Sequence, residues 1–166
     1  MKKLIKICLS MLLFAFCYPC FAAQDDIRNA KMFIRKFLEL SHNYDPALID
    51  MYSDSANIVR KVVYEDGKVE KVVIPTDLYK KSLLFFRLPA KLRGYRNEFI
   101  NFSYIMEGKN VRATGLRKSN NTDIVPISLL LGRDASGEFH ILEEITETKS
   151  VFLIKAVFGL ADDDKK

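Results

Sequence analysis

The chain has no tryptophan, only two histidines, and three cysteines in 166 residues. Cys8, Cys17 and Cys20 all precede residue 21. Beyond them there is no thiol nucleophile and no disulfide, so whatever folds there is held by its core. His42 and His140 have no ligand spacing between them and no cysteine to complete a set. That argues against a zinc site, and we expect no metal and no cofactor. A glycine-rich phosphate loop, a Gly-x-Ser-x-Gly elbow and a His-Glu-x-x-His pair are all missing. So are a Pro/Gly/Ser-rich linker, an internal repeat and an apolar run of the ~20 residues that a spanning helix needs.

What is present begins with Lys2, Lys3 and Lys6, then an apolar stretch from Ile7 to Phe16, then small residues at Cys20 and Ala22. A basic start, a short apolar core and a small-residue cut site make a secretory signal peptide. We expect residues 1–22 to be cleaved near Ala22 and the product to be periplasmic or secreted. The Cys-x-x-Cys of "CYPC" (17–20) therefore reads as export sequence rather than as a redox pair, since no strand–helix unit flanks it. Losing the three lysines takes the basic count from 26 to 23 against 21 acidic residues, and the net charge from +5 to +2. A charge of +2 gives no warrant for nucleic-acid binding.

The remaining chain of about 144 residues is the size of one domain. Ile27, Ala30, Phe33 or Ile34, Phe37 and Leu38 recur at helical spacing, with Asp25 and Asp26 suited to a helix start. "DPALIDMYSD" predicts a short second helix capped by Asp45. Ile58–Tyr64 and Val69–Ile74 read as a hairpin about Asp66-Gly67. A third helix follows, capped by Thr76 or Asp77 and stopped by Pro89. Four strands complete the series, turning at Gly108–Asn110, Ser119–Asn121 and Asp134–Gly137. The order predicts an α+β fold, a curved antiparallel sheet of about six strands with three helices from the first half on one face. The domain would run over 25–148, leaving an apolar tail at 149–166 with a charged end.

Three stretches resemble the nuclear transport factor 2-like superfamily, which includes SnoaL-like and ketosteroid-isomerase-like proteins. They are "PALIDMYSDSANI", "GKNVRATGLRKS" and "RDASGEFHILEEI". The resemblance implies a cone-shaped cavity between bent sheet and helices, often with dimerisation through the sheet, which makes a homodimer one option while the sequence leaves the oligomeric state open. It also implies that isomerase-type members use a cavity carboxylate as base and a tyrosine or protonated acid as oxyanion donor. The first helix here lacks a tyrosine on its apolar face, which departs from that pattern.

Candidate carboxylates are Asp50, Asp54, Asp123, Glu143 and Glu144. Strand alternation places Glu143 with Phe139 and Ile141, and Glu144 with His140 and Leu142. One of the two glutamates must face the cavity, and cross-strand pairing with Arg117 or Arg133 suits either. Phe37, Tyr52, Tyr79, Phe86, Tyr104 and Glu143 form the expected cavity wall, suited to a small hydrophobic ligand. Lys80, Lys81, Arg87, Lys91, Arg93 and Arg96 form a basic patch able to meet an anionic partner. Val151–Leu160 carries a single charge, Lys155, and needs something to pack against. The expectation is an exported, non-enzymatic module that holds a small hydrophobic molecule or a protein partner. The alternative is a SnoaL-like isomerase, dehydratase or hydrolase with a cavity carboxylate as base.

Overall fold

A computed structural model describes residues 2–119 and 124–148, with side chains of 23–118 and 124–148. The turn at 120–121, Asp123 and the tail lie outside the described residues. The first helix, α1, runs over Lys2–Asn43. It does not begin at Asp25: the helical pattern continues back through the apolar leader, so Asp25 and Asp26 sit in mid-helix and pair with Arg28 and Arg133 instead. No helix among the described residues is long and apolar enough to cross a membrane.

Ala30, Ile34 and Phe37 are the buried stripe of α1, at the expected spacing. The chain then turns at Tyr44, whose φ of 49° is in the left-handed region. A short 3₁₀ segment over Pro46–Met51 follows, with the Asp45 carboxylate accepting from the Ala47 N–H at 2.9 Å. β1 (Tyr52–Val63) and β2 (Val69–Ile74) form the hairpin, closed by Gly67 at φ 82°. α2 spans Thr76–Leu92 and passes through Pro89 rather than stopping there. Proline forfeits one helical hydrogen bond but fixes a helix-compatible φ, and the helix survives one more turn. Thr76 does not cap α2; its hydroxyl donates to the Ala56 carbonyl.

β3 (Asn97–Glu107), β4 (Asn110–Ser119), β5 (Ile124–Arg133) and β6 (Phe139–Thr148) complete one sheet, ordered β2-β1-β6-β5-β4-β3. The fold is α+β, with six strands and three helical segments as expected. The sheet is mixed rather than wholly antiparallel, because β1 and β6 run parallel while every other pair is antiparallel. The two meet although far apart in sequence, so no hairpin dictates their direction.

Three irregularities bend the sheet. In β3 the register slips between Ile100 and Ser103, with Asn101 at φ 58°. In β1 it slips between Tyr52 and Asn57, and in β6 residue 142 is extra against Leu130 and Leu131. An extra residue on one strand sharpens the twist and turns the side chains beyond it. The concave face so formed receives α1, and the rings of Phe33, Phe37, Phe99, Phe102 and Phe139 meet there at centroid separations of 5.7–6.5 Å.

Candidate functional site

Inside the cone, four buried polar side chains converge from three elements. Glu144 comes from β6, Arg60 and Tyr52 from β1, and Tyr79 from the first turn of α2. The Tyr52 hydroxyl donates to Glu144 Oε2 at 2.5 Å. The Tyr79 hydroxyl donates to Oε1 at 3.2 Å and to Oε2 at 3.3 Å. Arg60 Nη2 lies 2.8 Å from Oε1, and its guanidinium stacks over the Tyr79 ring at 5.1 Å. The tyrosine rings meet edge-on at 5.4 Å.

Burial raises both phenols above their ordinary range, and the Glu144 charge raises them further, so both remain protonated donors. Burial alone would lower Arg60, but the Glu144 charge together with Tyr79 and Tyr52 outweighs it, and the guanidinium is held more firmly protonated. Three donors therefore converge on Glu144, the Tyr79 proton being shared between its two oxygens, and the residue is 2% exposed. A general base needs a lone pair aimed at its substrate, within about 3 Å of the proton it takes. Glu144 is buried and already engaged by three donors, with no approach from solvent.

The expected cavity residues divide. Phe37, Tyr52 and Tyr79 are buried together, with Phe37 edge-on to Tyr52. Tyr104 is half-buried beside Phe102, under the Lys31 ammonium. Phe86 lies seven residues after Tyr79, on the same side of α2, but is 42% exposed. Glu143 does not face the cavity, and this corrects the alternation argument. With Leu142 as the extra residue, β6 changes phase, so Ile141 and Glu144 share the inner face and Glu143 turns outward. There Glu143 accepts from Arg112 Nη1 at 2.6 Å and from Asn57 at 3.3 Å. Neither Arg117 nor Arg133 pairs with a glutamate of β6. Arg117 donates to Asn97, and Arg133 to Asp26.

Arg60 was not singled out from the sequence. Its signal lies in Ile58-x-Arg60-x-Val62: a charged residue in phase with two core residues must find a buried partner.

A second concavity, a cleft of ≈ 490 Å³, opens where β1 slips its register. Asp54, Lys80, Asp134, His140 and Leu142 line it. Its charges satisfy one another. Lys80 sits 2.7 Å from Asp54, and His140 Nε2 3.0 Å from Asp134. The Ser136 hydroxyl, then backbone N–H groups and His140, hold the Asp134 carboxyl down at about 2. Among the described residues no hydroxyl bonds His140, whose partner is the Asp134 carboxylate. No group of metal-ligating side chains occurs among the described residues.

No family model matches the chain, and no curated protein matches it. Solved structures do. One is an NTF2-like protein with a cystatin-like fold from Novosphingobium aromaticivorans, at 11% identity and a TM-score of 0.54, covering 90% of this chain and 96% of that one. Another is an NTF2-like protein from Pseudomonas putida KT2440, at 14% identity and a TM-score of 0.55, covering 86% and 98%. The fold is that of the nuclear transport factor 2-like superfamily. ActVI-ORFA from Streptomyces coelicolor shares it at 11% identity and a TM-score of 0.51, covering 73% of this chain and 95% of that one. At such identities the likeness carries the NTF2-like fold and leaves activity to be argued from the site.

Proposed function

We propose that this protein is an exported, non-enzymatic interaction module that works through its surface rather than through its cone. The observation that carries the reading is the saturation of Glu144. Glu144, the carboxylate beside tyrosine hydroxyls on the inner face among the described residues, is neutralised by Arg60 and closed off from solvent. The aromatic rings between α1 and the sheet argue in the same direction, because they fill the place where a small hydrophobic ligand would sit. These features favour a protein partner over a small molecule, and disfavour the isomerase, dehydratase or hydrolase alternative.

The working surface in this reading is the outer face of α2. Tyr79 is the one buried residue of that helix. Phe85, Leu88 and Leu92 are 74%, 64% and 80% exposed, and with Leu84 they fall on one helical stripe. Lys80, Arg87 and Lys91 follow along one edge of the stripe. An apolar stripe with a basic margin suits a partner that is apolar and acidic. Export rests on the leader pattern at residues 1–22.

Native mass spectrometry on the protein from its host's exported fraction tests both parts. A mass beginning at Ala23, free or with a second protein attached, is expected. A retained small-molecule adduct would overturn the surface reading, and a chain still beginning at Met1 would overturn export.

A further inference from the structure

The outer face of α2 is an apolar stripe that no described element covers, and this chain carries its own complement. We propose that the segment Val151–Leu160 docks on that stripe in cis, with Asp162, Asp163 and Asp164 set against Arg87, Lys91 and Arg93. The proposal rests on reading α2 as the docking surface and names its resident occupant; an external partner would then have to displace the tail.

Where the tail departs is known from the register. Thr146 pairs with Arg60, and Thr148 with Val62. The Thr76 hydroxyl bonds the Ala56 carbonyl and the Tyr79 hydroxyl bonds Glu144, which pairs with Ile58, so β6 ends four residues, about 13 Å, beyond the position beneath the first turn of α2. The tail must therefore fold back about 13 Å along the sheet to meet the helix, and residues 149–166 are long enough to do so.

The lengths match. Thirteen steps separate Tyr79 from Leu92, and thirteen separate Val151 from Asp164. In helical form each span is about 20 Å. A tail that folds back and runs alongside α2 in the same direction therefore has the length to bring its acidic triplet to the last turn. Arg87, Lys91 and Arg93 have no acidic partner among the described residues. Two apolar surfaces in one chain, each unfavourable in water, thereby cover each other, and the charges at their ends are opposite in sign.

Hydrogen exchange on the exported protein, compared with the same chain ended after Thr148, tests the docking. Amides of Leu84–Leu92 should exchange about tenfold faster without the tail, while those of Ile58–Val62 stay unchanged. Leu88→Asp in the full chain should release residues 151–160 by a similar factor, which keeps the test valid if the shortened chain folds poorly. Equal exchange in α2 with and without the tail overturns cis docking while leaving the face free for an external partner, and so does not touch the proposed function. Protection that rises with concentration alongside a doubled sedimentation mass also overturns it, in favour of a second copy. Protection of 151–160 only when vesicles of phosphatidylcholine and phosphatidylglycerol are added overturns it in favour of a lipid surface.

Discussion

A Cβ on Gly132 would stand 2.4 Å from Leu142 Cδ1. The missing side chain on β5 is what gives the extra residue of β6 its room, and the extra residue is what turns Glu144 inward. Gly132→Ala should therefore destabilise the protein by about 1–3 kcal/mol through overpacking. Adding Leu142→Ala should return most of that loss. Urea denaturation of both variants checks this; equal costs in the single and double variants would disprove the contact.

The Arg60–Glu144 pair should behave as a buried ion pair. Arg60→Met alone, or Glu144→Gln alone, leaves one partner without its counter-charge and should cost about 3–5 kcal/mol. Arg60→Met combined with Glu144→Leu should cost much less than the two singles together. A double-mutant cycle in denaturant measures the coupling, and additive losses would show that the pair is not coupled.

Alkali should unfold the protein in step with its buried phenols. Burial holds Tyr52 and Tyr79 above the ordinary 10, and pushes Tyr44 up to about 12. A folded-state pKa above the unfolded one gives stability that is complete below about pH 10 and lost as pH climbs through the raised values. Tyrosinate absorbance from these residues should appear together with loss of circular dichroism. Titration near pH 10 with the fold intact would refute their burial.

Gly115 has the same duty at the β3 irregularity, where an added Cβ would meet the Phe102 ring at 3.0 Å and the Ile100 carbonyl at 3.1 Å. Gly115→Ala should cost about 1–3 kcal/mol, and Phe102→Leu in the same chain should recover part of it. Melting curves of the two variants decide.

The elements were legible because their periods are local. Ala30, Ile34 and Phe37 mark a helix face, and Asp66-Gly67 marks a hairpin, without help from distant residues. The parallel pairing of β1 with β6 was not legible, since it joins residues some ninety positions apart and no turn encodes its direction. The candidate site was half legible. Phe37, Tyr52 and Tyr79 follow from apolar phase. Glu144 stands among the candidate carboxylates, but the wall was given Glu143, because strict alternation holds only while neither strand carries an extra residue, and Leu142 breaks it. Phe86 has the right helical phase, but α2 exposes it rather than closing it over. The start of α1 was hidden by two aspartates that look like a helix beginning and serve as ion-pair partners within it.

Because β1 lies between β2 and β6, the middle of the sheet is closed only by the last described strand. A ribosome making this chain delivers β1 long before its neighbour exists, and the Tyr52–Glu144 bond spans 92 residues of sequence. Contacts so distant are made late, after most of the loop entropy has been spent. β1 thus stays without its inner neighbour until residues 139–148 have been made. For a protein that we propose crosses a membrane, that delay leaves the centre of the sheet unformed while the chain is threaded.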